Sequence, residues 1–267
     1  MSVTLDGSRA LVTGASGGIG LAIARALHAR GATVIATARR QAVLEGLCAE
    51  LGDRVEVVQA DLADRDDVAG LQEQAGRVDV LVANAALPAS GAFDDFSGDQ
   101  VDRALDVNLR APLHLARELA KPMVERRSGH LVFISSLSGK TASPGGSLYS
   151  ATKFGLRGFA LGLREDLVGT GVGVTTVFPG FIRDAGMFHD SGTKLPPGVG
   201  TRTPDDVAAA VIQGIEKDKP EVDVAPLGLR IGAMAAGLAP GPVAAAQRKL
   251  GASKVAGQMA RGQRHKR

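Results

Sequence analysis

The chain has no tryptophan, a single tyrosine and a single cysteine in 267 residues, and aromatics make up only 3% of it. One cysteine, Cys48, excludes an internal disulfide and fits a reducing compartment, so the expected location is cytoplasmic. No apolar run reaches spanning length without Gly or Pro interrupting it, which argues against a transmembrane helix. The start, "MSVTLDGSRALVTG", carries Asp6 and runs directly into a strand pattern, so no secretory signal is expected. Acid is missing from one end only: from Val224 onward there are eight Lys or Arg and no Asp or Glu, leaving the preceding body net acidic. That basic end, closing on "ARGQRHKR", has no aromatics among its charges, so nucleic-acid binding is not expected. Contact with an anionic membrane surface is the lesser alternative to a solvated tail.

What is present is glycine (35 residues) and an alternation of short β-branched runs with helical patterns. "RALVT", "TVIAT", "RVEVVQ", "DVLVAN", "HLVFIS", "GVTTVF" and "EVDVA" read as strands, several of them apolar on both faces. Patterns such as "GLAIARALHAR" and "SLYSATKFGLRGFALGLREDL" lie between them as helices. The "TPDDVAAAVIQGIEK" segment has a Thr203 cap, Pro204 at the first helical position and acids in the first turn. Such alternation predicts an α/β chain: a single-domain, doubly wound Rossmann fold with a parallel sheet of about seven strands and helices on both faces. The expected division is a domain over residues 1–226 and a basic extension over 227–267, helical or partly disordered.

Directly after the first strand comes "TGASGGIG", opening a helix. Glycines there permit a tight turn and let backbone N–H groups approach a pyrophosphate at the helix N-terminus. Gly14, Ser16, Gly18, Ile19 and Gly20 are the candidate contacts; with Gly17 also present, the spacing fits both G-x-x-x-G-x-G and G-x-x-G-x-x-G. After the second strand the chain reads "TARR", with Ala38 where an acid for a ribose hydroxyl commonly stands. An arginine fork binds a 2′-phosphate that an acid would repel, so NADP is favoured over NAD, with Arg39 the expected main contact. Asp61 and Leu62 of "QADLAD" end the third strand near where an adenine would lie, although Asp61 reads equally as a helix cap.

In order and spacing, "TGASGGIG", "ADL", "ANAA", the Asn108 of "LDVNL", Ser136 of "ISSLSG", Tyr149 and Lys153 of "YSATK", and Pro179–Gly180 resemble the short-chain dehydrogenase/reductase family, over nearly all of Ser8 to Ala225. The resemblance is to its short oxidoreductase branch and implies hydride exchange between a nicotinamide cofactor and a ketone or secondary alcohol. Positions i and i+4 share a helix face, so Tyr149 and Lys153 reach one site. The expectation is that the ammonium favours the phenolate by up to roughly 4 kcal/mol at about 4 Å, making Tyr149 the general acid/base the family assigns there. Ser136 is expected to polarise the substrate oxygen, with Ser135 pointing to the opposite face. The resemblance gives Asn108 a water linking Lys153 to solvent; the plain alternative is a mid-helix amide bonding its own backbone. It gives Lys153 a second role on the nicotinamide ribose. Asn84, Pro179, Gly180 and Ile182 complete the implied cofactor contacts, and no metal is expected.

Two departures stand out. "ANAA" keeps only Asn84 and Ala85 of the family's Asn-Asn-Ala-Gly, and Asp184 occupies the place of a threonine that touches the nicotinamide carboxamide, so that role is not carried over. The Gly/Pro-rich stretch 181–202 reads as a substrate lid, with Met187, Phe188 and Leu195 lining an apolar pocket and His189 and Lys194 as the charged candidates. An apolar carbonyl or alcohol is the expected small-molecule partner. Reduction of a carrier-bound 3-oxoacyl group is the rival reading and calls for a basic patch at the pocket mouth; a catalytically silent dinucleotide-binding scaffold is the reading from another class. Gly155, Gly158 and Gly162 on the tyrosine's helix each cost about 1 kcal/mol relative to Ala, which suggests a close contact there and a homodimer or homotetramer through this helix.

Overall fold

The computed structural model describes residues 3–266; Arg267, part of the basic end, lies outside the described residues. Seven strands form one wholly parallel sheet: β1 (Arg9–Thr13), β2 (Thr33–Ala38), β3 (Val55–Gln59), β4 (Val80–Ala83), β5 (Gly129–Ile134), β6 (Val172–Pro179) and β7 (Glu221–Val224). Their spatial order is β3-β2-β1-β4-β5-β6-β7. The chain therefore winds outward in one direction, returns to the centre, and winds outward in the other. The reversal between β1 and β4 opens a crevice at the carboxyl ends of the strands, where doubly wound sheets bind ligands.

Side-chain alternation explains why both faces are covered. Val12, Val34, Val82 and Val132 face a core with α1 (Gly18–Ala29), α2 (Gln41–Leu51) and α8 (Pro204–Glu216). Their neighbours Leu11, Ile35, Leu81 and Leu131 face a second core with α3 (Arg65–Ala75), α5 (Ala111–Glu125) and α6 (Ser147–Asp166). A strand buried on both sides is apolar along most of its length; in β1, β2, β4 and β5 the polar exceptions are Arg9, Thr13, Thr33, Thr37 and His130. α4 (Gly98–Leu105), α7 (Gly186–Asp190), α9 (Leu227–Leu238), α10 (Pro240–Lys249) and α11 (Ala252–Gln263) complete the helices. Thr203 caps α8 in a reciprocal box with Asp206, so Asp206 rather than a distant acid answers the cap.

One buried polar group in the sheet carries its own pH signature. Thr175 Oγ1 on β6 donates its only hydrogen to Lys219 O at 2.7 Å, so it accepts from His130 Nε2 at 2.8 Å, which makes His130 a neutral Nε2–H tautomer. Burial, then the nearby Arg164, pushes the His130 imidazole down to about 4, against an opposing pull from Asp218. The unfolded chain takes up this proton near pH 6.5 and the folded chain only near 4. Stability therefore falls as pH drops through that window, by at most about 3 kcal/mol from this group. Urea unfolding of wild type and His130→Asn at pH 7 and pH 4.5 checks it: the wild type loses more stability on acidification than the variant. Equal losses would place the acid sensitivity elsewhere.

Candidate active site

The glycine-rich turn joins β1 to α1. Gly14 has φ +66°, and a Cβ there would lie 2.8 Å from Ala85 Cα, so only glycine lets β4's end approach this closely. The approach is locked from the other side. Thr13 Oγ1 accepts from Asn84 N and Ala85 N, both at 3.0 Å, and Asn84 Nδ2 donates to Thr13 O at 3.0 Å and Gly14 O at 3.3 Å. Asn84, an implied cofactor contact, thus braces the turn while lining the groove.

α1 opens differently from α3, α4 and α8, and shares with α2 the lack of a side-chain cap and of an acid in the first turn. α3 is capped by Asp64, with acids in its first turn; α4 and α8 carry full capping boxes. The N-cap of α1 is Gly17, with no side-chain acceptor and no acid in the first turn. Its leading N–H groups face a groove of about 610 Å³ lined by Ser16, Gly18 and Ile19, and further along by Asp61 and Leu62. A helix start left without its own anion suits a phosphate. These residues fit a dinucleotide.

Three arginines line the far end of that groove: Arg39, Arg40 and Arg103. Arg40 reaches across the glycine turn, donating to Ser16 O at 2.6 Å and Ser16 Oγ at 3.3 Å. Arg39 and Arg103 both approach Asp61 Oδ2, at 3.8 and 3.7 Å. Arg39, the expected main contact, thus stands in a cluster of three arginines. Arg103 lies on α4 in a stretch with no motif, and nothing in the sequence brings it to β2. Asp61 does not cap α3, since Asp64 does; its Oδ1 accepts from Ala63 N at 3.0 Å and holds the turn.

The second cavity, of about 640 Å³, shares Ile19, Asn84, Ala86, Met187 and Gln263 with the groove and is mainly apolar. Ser136, Tyr149 and Lys153 line it at the end of β5 and the start of α6, and Met187, Phe188 and Leu195 line it from the lid. Pro179, Gly180 and Ile182 also line it. Ile182 is buried and pairs with Arg202 in an isolated bridge that closes the base of the lid. His189 and Lys194 are not among the lining residues, and His189 pairs with Asp190 at 3.2 Å. Asp184, at φ +70°, is exposed and sits beside Arg183 at 3.4 Å, away from the work of a hydroxyl donor.

As the strand geometry requires, adjacent serines diverge. Ser135 Oγ donates to Lys153 O at 3.1 Å on the buried side, while Ser136 faces the cavity, accepts from Ser138 N at 3.1 Å and hydrogen-bonds Tyr149. The electrostatic expectation for Tyr149, however, is corrected. Lys153 Nζ donates to Ile134 O at 2.9 Å and lies over the Tyr149 ring, 5.7 Å from its centroid. Burial pushes the phenol up to about 12, the Ser136 hydrogen bond pulling the other way, and burial pushes Lys153 down to about 8. Helical spacing brings the pair to one site, but removing water from both penalises each charged form. Tyr149 is only half-buried, so water on its open side tempers its displacement.

Asn108 does not bond its own helix, as the plain alternative had it. It sits in a π-turn (Asp106–Arg110) between α4 and α5, is fully buried, accepts from Leu87 N at 2.6 Å and donates to Leu87 O at 2.9 Å. Its amide bonds the segment after β4 rather than its own helix, and both ends of that amide are used.

In the C-terminal extension, the apolar stretch 229–250 reads from sequence as a helix packed on its own subunit or a partner, with membrane docking or covering the pocket as the lesser alternatives, and the basic end has no assigned role. The extension's described part is helical throughout; Leu229 and Ala233 of α9, Val243 of α10, and Val255 and Met259 of α11 form one wall of the apolar cavity. The outer face of α9 leaves Leu227, Ile231, Met234 and Leu238 exposed. No helix among the described residues is long and apolar enough to cross a membrane.

The sequence profile described as short chain dehydrogenase matches residues 8–195. The chain belongs to the short-chain dehydrogenase/reductase family. It is similar to nodulation protein G of Rhizobium sp. (46% identity, covering 68% of this chain and 76% of that protein) and to the ketoacyl reductase HetN of Nostoc sp. (37%, 83% and 79%). Among solved structures, a short-chain dehydrogenase from Sphingobium yanoikuyae in complex with NADPH superposes with a TM-score of 0.76 at 29% identity, covering 85% of this chain and 95% of that one. This dehydrogenase/reductase is accordingly an oxidoreductase of alcohol/ketone substrates that uses a nicotinamide cofactor. The family profile stops at residue 195, so the wall built by α9–α11 lies beyond it.

Proposed function

We propose that this protein is an NADP-dependent reductase of an apolar ketone, with Tyr149 as the proton donor. The observation that carries the reading is the convergence of Ser136, Tyr149 and Lys153 on an apolar cavity continuous with the groove at the uncapped start of α1. The nicotinamide, when bound, supplies or takes the hydride. Ser136 and Tyr149 hold the carbonyl oxygen between two donors, and Tyr149 delivers its proton there as negative charge develops. A phenol that burial holds protonated starts in the form reduction needs. Lys153 balances the charge left on the phenolate and contacts the nicotinamide ribose. Asn108 acts by holding Leu87 at the groove wall.

Arg39 and Arg40 support NADP, since guanidinium forks match a 2′-phosphate. NADPH is expected to bind at least tenfold tighter than NADH, and R39A/R40A to remove that margin while leaving NADH unchanged. Equal or tighter NADH binding by the wild type, measured by fluorescence titration, would reject the NADP assignment.

The carrier-linked 3-oxoacyl substrate is the second reading. Exposed Arg248, Lys249 and Lys254 flank the helices that line the cavity, the basic patch that reading calls for, and a relative is a ketoacyl reductase. NADPH oxidation rates with a 3-oxoacyl carrier protein and with free aryl and alkyl ketones separate the two. For assembly, the open face of α6 suits a second copy: Gly155 packs inside the chain on Leu109, but Gly158 and Gly162 have open space beside partly exposed Phe154 and Leu161. Light scattering of Leu161→Arg should then give a smaller species than wild type.

A further inference from the structure

We infer that Gln263, contributed by the C-terminal extension, is a cofactor-binding residue that accepts a hydrogen bond from the nicotinamide half of the dinucleotide. Four observations converge on it. Gln263 is 2% exposed, on the last turn of α11, in a stretch rich in solvated charge. Its Nε2 donates to Met187 O at 3.0 Å, and since a backbone carbonyl only accepts, the amide orientation is decided: Oε1 faces the other way. That oxygen is buried and has no hydrogen-bond partner among the described residues. Finally, Gln263 is one of the few residues lining both the glycine-turn groove and the apolar cavity that holds Tyr149.

The chemistry of the missing partner follows from the atom. A carbonyl oxygen needs a donor, which excludes phosphates and selects the hydroxyls and amide N–H groups of the cofactor. At the junction of groove and catalytic cavity, the donors are those of the nicotinamide ribose and its carboxamide. The position of Gln263 is not accidental packing. Gly262 lies so close to the Ser191 carbonyl that a Cβ has no room, and Gln258 Oε1 accepts from Lys194 N at 3.3 Å, so α11 is keyed to the lid in one register.

This inference rests on the chain using a nicotinamide dinucleotide, and the test separates the two. Binding of NADPH and of 2′-phospho-ADP, which lacks both the nicotinamide and its ribose, is measured by calorimetry for wild type and Gln263→Met, with circular dichroism melting as a check on folding. The expected result is that Q263M weakens NADPH about tenfold and leaves the 2′-phospho-ADP fragment within twofold. If Q263M misfolds, Gly262→Val, which displaces the register without touching the amide, is expected to give the same split. Equal affinity of wild type and variant for NADPH, or equal weakening of both ligands, overturns the assignment, the latter because a merely structural contact would do so. Wild-type protein that binds neither NADPH nor NADH overturns the enzyme reading and this one with it.

Discussion

Tyr149→Phe is expected to lower kcat for ketone reduction by on the order of 10³, while the Kd for NADPH changes less than threefold. Removing one hydroxyl eliminates the proton donor and half of the pair that holds the carbonyl oxygen, and positioned acid catalysis contributes roughly 10²–10⁴. The ring stays packed against Leu148, Ala89 and Ala104, so the fold and groove are untouched. The pH dependence has a definite sign. Tyr149 remains protonated through the working range, whereas burial brings Lys153 down to about 8. The wild-type reductive rate should hold below that value and decline above it, as the ammonium that balances the phenolate is lost. Stopped-flow traces across pH 6 to 10 measure both. A Tyr149→Phe enzyme with wild-type turnover, or a rate still rising through pH 9, would refute the assigned roles.

Asn108→Ala is expected to cost roughly 2–6 kcal/mol of stability. Both polar ends of its amide are paired with Leu87, so truncation strands a backbone N–H and a carbonyl together, at about 1–3 kcal/mol each. For a chain of this size that corresponds to a fall in Tm on the order of 10 °C. NADPH affinity should fall as well, because Leu87 and its neighbours form a wall of the groove. Differential scanning calorimetry reads the first effect; a Tm within 2 °C of wild type would mean that water replaces the amide at no cost.

The strands themselves, the glycine turn and the Tyr149–Lys153 pair were legible because each rests on local spacing. A strand covered on both faces is apolar along most of its length, a turn with φ above zero beside a second backbone must be glycine, and four residues make one helical turn. Where spacing alone was asked to decide energetics it failed. The ammonium reaches the phenol's neighbourhood, yet it donates to the carbonyl of Ile134, at the end of β5, and the burial that brings the pair together raises the phenol rather than lowering it. For Asn108 the own-backbone alternative failed in the same way: its partner, Leu87, is 21 positions upstream, after β4.

The chain's own residues therefore determined the doubly wound sheet, the glycine-rich start of α1 and the grouping of Tyr149 with Lys153 on one helix face, all through contacts within a few positions or through periodicity. Tertiary structure alone decided that Arg103 joins Arg39 at Asp61, that α9–α11 wall the apolar cavity, and that Gln263 lines both that cavity and the groove. Those contacts link segments tens to more than a hundred residues apart, in stretches of small, polar and basic residues whose pattern names no partner. Which surface such a stretch covers depends on the shape and open hydrogen bonds of the rest of the fold.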